Sequence, residues 1–229
     1  MPPLPPAPFD FSPLLLSLQL ALLTTALLFL ISLPLAYFLA YSRFRGRPVI
    51  EALVALPLVL PPSVLGFYLL LGLGPESALG SFLHDMIGLE LAFSFGGLLL
   101  ASMIYSLPFM VQPIQAAFQA LPDSYREAAW TLGKSRWQTL RYVLLPNIKP
   151  GLLTGIVLAF AHTLGEFGVV LMIGGNIPGE TRVASVAIYE EFEALNHANA
   201  HTYAAILLGI SFVVLVTVYA LNKRNIRTT

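Results

Sequence analysis

Glu127-Ala128-Ala129-Trp130-Thr131-Leu132-Gly133 opens a stretch that continues through nine residues, among them Lys134, Arg136, Gln138 and Arg141, to Val143-Leu144-Leu145-Pro146. Apolar segments of membrane length flank it on both sides, so it reads as a structured loop between two spans. Asp123 or Ser124 is placed to cap a helix start. Glu127 then lies in the first turn, where its carboxylate favours the positive end of the macrodipole and completes a capping-box-like arrangement from Ser124. Ala128 and Ala129 are small enough for another surface to approach closely, and Gly133 permits a turn of positive φ at the helix end. Lys134, Arg136 and Arg141 are available to acidic groups on a partner or to anionic lipid.

Outward from this loop, composition indicates the solvent. Hydrophobic residues make up 57% of the 229 and charged residues 10%, with a mean hydropathy of +0.78. A water-soluble protein of this size would be left covered in apolar surface, so the expected surroundings are lipid. Lys+Arg and Asp+Glu both number 12, a formal net charge of +0, which argues against nucleic acid because phosphate neutralisation needs clustered excess base. Cys 0 removes disulfides, thiolate metal sites and cysteine nucleophiles together.

A helix crosses the ~30 Å hydrocarbon core with roughly 20 mainly apolar residues, because lipid offers no partners to the backbone. Five segments qualify: residues 14–41, 52–73, 91–111, 151–173 and 203–221. The chain is therefore expected to be an all-α polytopic membrane protein of about five transmembrane helices. Basic residues stay cytoplasmic during insertion. In the five-span arrangement every one of the 12 Lys and Arg except Arg182 falls on one side. That puts the N-terminus outside, the C-terminus inside, and the Glu127 loop in the cytoplasm. The expected organisation is a Pro-rich extracytoplasmic tail over 1–13, carrying Pro2, Pro3, Pro5, Pro6 and Pro8, then a transmembrane domain over 14–222 and a basic cytoplasmic tail over 223–229. Within the domain lie a cytoplasmic loop at about 119–149 and an extracytoplasmic loop at about 174–202. No Lys or Arg precedes Arg43, so a secretory n-region is missing and the first helix is expected to be retained.

The chain carries no motor of its own. Gly133-Lys134-Ser135 looks like the end of a phosphate-cradling loop, but Ala128 stands where the first glycine belongs and no parallel strand precedes it. No Ser/His/Asp order or acid pair suggests a hydrolase. Glu193, His197 and His201 would share one face of a continuous helix, a weak metal signal outweighed by Asn196, Asn199 and the nearby span entry, which suggest an ordinary polar connection. His84 and His162 read as interfacial or packing residues. No metal or cofactor is expected.

The spacing from Glu127 to Pro146 resembles the EAA loop of ABC-transporter permeases, whose pattern is Glu-Ala-Ala, three residues, Gly, nine residues, Ile, one residue, Leu-Pro; Val143 replaces the isoleucine. Three further stretches are similar to permeases of the oxyanion group. They are Leu56-Pro57-Leu58-Val59-Leu60-Pro61-Pro62-Ser63-Val64-Leu65-Gly66, then Leu164-Gly165-Glu166-Phe167-Gly168, and Asn176-Ile177-Pro178-Gly179-Glu180-Thr181-Arg182, the last similar to molybdate permeases in particular. The chain is thus identified as a member of the molybdate ABC-transporter permeases, with a sulfate or tungstate permease of the same family as the alternative within the class. The resemblance implies a type I ABC importer fold in the bacterial inner (plasma) membrane. It also implies a short cytoplasmic helix that docks on a separate ATPase subunit, with Glu127, Ala128, Ala129, Gly133, Leu145 and Pro146 as coupling residues. Implied partners are two ATPase copies, an extracytoplasmic molybdate-binding protein and a second permease copy.

Ser63, Thr163, Gly165, Glu166 and Gly168 are candidates for gate or pathway. A carboxylate inside a span is a functional candidate by default, yet a bare carboxylate repels an anion. Glu166 is expected to be hydrogen-bonded to backbone or hydroxyl groups or to hold two helices in register, with Gly165 and Gly168 allowing close approach. Direct substrate contact and an incidental interfacial position stay open. Ser63, Thr163 and glycine amides suit a tetrahedral oxyanion better. Pro34, Pro57, Pro61, Pro62 and Pro108 each remove a backbone donor within a span and are read as kinks or packing features. Glu180, Glu190, Glu191 and Glu193, set against Arg182, could meet a basic patch on a binding protein. A channel or secondary transporter needing no ATP is the alternative from another class.

Overall fold

Helix α1 (Ser12–Tyr41) is apolar on every side, and about 45 Å of helix at 1.5 Å per residue is ample to cross a bilayer. In the computed structural model, which describes residues 9–226, α1 packs chiefly against α5 (Phe95–Gln119) and also against α9 (Lys149–Leu164). Leu20 of α1 shares a cluster with Leu98 and Ala101 of α5. Leu28, Ala36 and Leu39 share another with Met110, Ile114 and Phe118. Low numbers meet low and high meet high, so α1 and α5 run parallel, and the chain between them must cross back.

That return is made by α2 (Arg47–Val59) and α3 (Pro62–Leu73), bent by 114° with respect to each other. Pro61 and Pro62 follow the last turn of α2 and cannot continue it, because neither offers an N–H and Pro61 holds φ at −54°. The expected second span over 52–73 is therefore two helices. After α3, α4 (Ala78–Ile87) starts on Ser77, whose hydroxyl accepts from the Gly80 amide at 2.8 Å. Helix α5 starts likewise on Ser94, which accepts from Gly97. It absorbs Pro108 and Pro113 without ending, so Pro108 marks no break.

Beyond α5 come α6 (Ser124–Thr131), α7 (Arg136–Thr139), a π turn (Leu140–Leu144) and α8 (Leu145–Asn147), then a bend of 76° into α9. The expected fourth span over 151–173 is corrected here: α9 ends at Leu164, Gly165 to Phe167 break the helix, and α10 (Gly168–Gly174) packs on α3 and α5 instead of extending α9. Last come α11 (Ala184–Glu193) and α12 (His197–Ile226). Among the described residues three helices are long and apolar enough to span alone, and up to five spans result if each bent pair counts as one. Among the described residues there is no strand.

Several hydroxyls within the apolar helices satisfy themselves locally. Ser17, Thr25, Thr154 and Ser211 each donate to the carbonyl four residues earlier at 2.7 to 2.9 Å, the bond available where water is absent. The outer shell is apolar, with Leu15, Leu22, Leu30, Val59, Leu208 and Phe212 exposed, as a lipid-facing surface requires.

Residues 1–8 of the expected N-terminal tail lie outside the described residues, as do 227–229 of the expected C-terminal tail, whose residues 223–226 belong to α12. Phe9 packs on Tyr203 with ring centroids 4.5 Å apart and the Tyr203 hydroxyl donates to the Asp10 carbonyl at 2.5 Å, so residues 9 and 10 are held to α12, while Ser12 at the start of α1 bonds the Asp10 carboxylate.

Candidate functional site

The loop from α5 to α9 is built as an exposed platform. Helix α6 ends on Gly133 at φ +75°, where the Gly133 amide donates to Trp130 and the Lys134 amide to Ala129. This pair of bonds is the Schellman closure that only a residue tolerant of positive φ permits. The helix start departs from expectation. Asp123 stands at the N-cap without a side-chain cap bond, since its carboxylate is engaged by Arg126 at 2.5 Å, and the one capping box in the loop is Ser135 with Gln138, at α7.

Glu127 and Ala128 face outward, but Ala129 is buried against the protein's own interior. Of the two alanines only Ala128 is free to receive a partner. Leu145 packs at the edge of the α1–α5–α9 core, whereas Pro146 is exposed. Sequence reasoning missed the bulky side chains that share the platform: Trp130, Leu132, Trp137 and Tyr142 are all exposed, Leu132 at 78%. Large apolar groups in a charged loop between spans were the available signal. Arg126 fastens the platform to the bundle, its guanidinium lying 4.0 Å over the Tyr41 ring while the Tyr41 hydroxyl donates to the Phe118 carbonyl.

A second constellation surrounds the break after α9. Glu166 is 5% exposed, and neither carboxylate oxygen meets a partner in full hydrogen-bond geometry. Its backbone is held, because the Ser185 hydroxyl of α11 donates to the Glu166 carbonyl at 2.5 Å. The Ser102 hydroxyl of α5 is its neighbour and is equally unpartnered. One turn along, Ser106 bonds both Thr163 Oγ1 at 2.8 Å and His162 Nδ1 at 2.9 Å, and the His162 ring stacks on Phe109 at 4.0 Å. Gly168 meets the start of α3 so closely that a Cβ there would lie 2.7 Å from Pro62 Cβ and 3.6 Å from the Ser63 amide. Ser63, Glu166 and Gly168 are thus gathered around the break, Gly165 is exposed there, and Thr163 turns to α5. Ser102, Ser106 and His162 were not foreseen as companions of Glu166.

The Asn176 to Arg182 motif folds on itself. Thr181 is fully buried, donating to the Gly174 carbonyl at 2.6 Å and accepting from the Ile177 amide at 3.0 Å. Arg182 bonds Asn176 and pairs with Glu190 of α11. Glu193, His197 and His201 do not share one helix, as the reading of an ordinary polar connection anticipates: α11 ends at Glu193, Leu195 takes φ +59°, and α12 begins at His197. Among the described residues no three His, Cys, Asp or Glu are grouped to hold a metal.

The Arg182 hydrogen bond holds the Glu190 carboxyl below its ordinary value of 4.5. The folded-state value is the lower one, so the pair contributes fully above pH 4.5 and its contribution is lost as pH falls through the folded value. Thermal unfolding midpoints should be unaffected by this pair from neutrality down to about pH 4.5 and should drop as pH is lowered further through the folded-state value, and Arg182→Gln should flatten the profile below 4.5.

Among known protein families, residues 32–227 match the binding-protein-dependent transport system inner membrane component. The molybdenum transport system permease protein ModB of Azotobacter vinelandii is 48% identical over 221 residues, covering 96% of this chain and 97% of that one. ModB of Escherichia coli K12 is 40% identical over 74% of this chain and 76% of that one. A probable sulfate transport system permease protein, cysT of Chlorella vulgaris, is 36% identical over 96% of this chain and 82% of that one. Among solved structures, an inward-facing MetNI methionine ABC transporter matches with a TM-score of 0.74 at 16% identity, over 94% of this chain and 95% of that chain. A bacterial ABC transporter that imports alginate matches with 0.79 at 17%, over 96% and 80%. At such identities the two structures speak for the fold, which is that of ABC importer permeases.

Proposed function

The chain belongs to the family of binding-protein-dependent transport system inner membrane components, and from that premise we propose that it is the membrane-spanning subunit of a molybdate importer driven by ATP hydrolysis in a separate subunit. The observation that carries the coupling part of this reading is the α6 platform, exposed on one side and continuous on the other with α9 through Leu144, Leu145 and Ile148. A partner that pulls or tilts α6 moves α9, and α9 ends at the Glu166 break. Two copies of the chain, each with one platform, would engage two ATPase copies. The N-terminus faces outward in this arrangement, in keeping with the positive-inside distribution.

The substrate part rests on chemistry at the break and on similarity to the ModB relatives. Ser63 stands in the first turn of α3, at the positive end of the helix, which with its hydroxyl suits a passing tetrahedral anion. No Lys or Arg lies within the apolar stretches of α1, α3, α5 or α9, so the dianion meets a weak route and not a trap. High-affinity capture then belongs to an extracytoplasmic binding protein. The direct test is uptake of labelled molybdate by cells lacking their own oxyanion importers and expressing this chain with its binding protein and ATPase. Uptake that resists excess sulfate supports the reading, and strong sulfate competition moves the substrate to sulfate.

A further inference from the structure

Where α1 and α5 leave the apolar zone, the chain forms an open cavity of about 490 Å³ lined by residues that include Tyr41, Arg43, Arg47, Leu121, Asp123 and Arg126. Three guanidinium groups and one carboxylate line it, so the wall is cationic. The charges are unequally engaged. Arg47 is bound through Nε to Glu51 at 3.0 Å, a carboxylate outside the cavity wall that Gln115 also holds at 2.7 Å. Arg126 gives one terminal nitrogen to Asp123 and lies over Tyr41, while its buried Nε has no partner. Arg43 is exposed and makes no ion pair among the described residues.

The position of the cavity specifies its ligand further. Ser42 and Arg43 follow the last turn of α1, Gln119 to Leu121 form the end of α5 and the residues after it, and Phe38 and Phe44, on either side of Ser42 and Arg43 in the chain and 5.3 Å apart ring to ring, stand exposed. Charged wall and apolar flank meet at one level, as the headgroup and acyl regions of a lipid do. Arginine forks match phosphate oxygens, and a guanidinium held on an aromatic ring is already oriented to donate.

We propose that this cavity binds a phosphate group, supplied by the headgroup of an anionic phospholipid, with Arg43 as the free clamp and Arg126 as the fixed floor. The bound group ties α1 and α5 to the start of α6, so it sets how firmly the platform is held. The assignment does not depend on which ion is transported.

The purified full chain would be placed in nanodiscs of phosphatidylglycerol or of phosphatidylcholine, and, in detergent, titrated with inorganic phosphate. Thermal unfolding would be followed, and retained lipid read by native mass spectrometry. Phosphatidylglycerol should raise the unfolding midpoint and remain bound, and Arg43→Glu should weaken retention about tenfold, the loss of a charge-assisted contact. Arg45→Glu, an equal charge change on an exposed residue of the same loop outside the cavity wall, should retain lipid like the wild type. Arg43-dependent protection by inorganic phosphate alone would support the same chemistry with a soluble source. Equal loss in the Arg43 and Arg45 variants, or no protection by either ligand, would overturn the site. Arg43→Lys, expected to keep most of the binding, distinguishes a lost charge from a damaged fold.

Discussion

Glu127→Lys should abolish transport while leaving the chain folded and membrane-inserted. The residue is exposed and its side chain makes no hydrogen bond or ion pair among the described residues, so its replacement acts on the fold mainly through the helix dipole, about 1 kcal/mol at most in the first turn of α6. Its effect on a partner is larger. A lysine in the middle of the platform presents the wrong charge to whatever complements the carboxylate, and like-charge juxtaposition costs several kcal/mol at an interface. Co-purification of the ATPase should fall about tenfold or more, and uptake with it. Trp130 and Leu132 flank the position and are the side chains expected to anchor the contact, since buried aromatic and apolar groups carry most interface energy. Normal ATPase retention by the Glu127→Lys chain would remove the platform from the coupling route.

Gly155→Leu should damage the fold itself. Gly155 lets α9 approach α5 so closely that a Cβ would stand 3.0 Å from the Met110 carbonyl oxygen and 3.3 Å from both Ile114 Cγ1 and Met110 Sδ. The carbonyl belongs to a helix and cannot swing aside. In lipid, helix association depends on this kind of close contact between small residues, because no hydrophobic force drives the helices together. Overpacking of about 3 kcal/mol or more is expected, enough to lower the unfolding midpoint sharply and reduce the yield of folded protein in detergent. Gly72→Leu is the matched control, because nothing lies within 4 Å of a Cβ built there. A Gly155→Leu protein as stable as wild type would mean that α5 and α9 are not clamped together.

How much of this was legible beforehand depended on what lipid hides. The all-helical, many-span character followed from apolar length alone, with five as the upper count of spans. The all-round apolar character of α1 concealed its rotation: buried Ser17, Thr24, Thr25 and Ser32 pack inward while Leu15, Leu22 and Leu30 face out, a reversal of the pattern that water imposes. Apolar length also could not register a reversal of direction, so the run over 151–173 passed through the break at Gly165 to Phe167 as if continuous. Gly133 was readable because only a residue without Cβ takes φ +75° readily. The capping box was misplaced by eleven residues of sequence, from Ser124 to Ser135, because Asp123 found Arg126 first. Glu166 was recognised as exceptional, but its unpartnered neighbour Ser102 lies 64 positions away on another helix, and spacing along a chain cannot bring such residues together.

The most direct test of the central claim is transport in proteoliposomes containing this chain, its binding protein and its ATPase, with labelled molybdate outside and ATP inside. Uptake that stops when ATP is withheld, when hydrolysis is blocked by an ATPase variant, or when the Glu127→Lys chain is substituted is the result expected. Uptake of equal rate without the ATPase would contradict the account and identify the chain as an autonomous channel or secondary transporter.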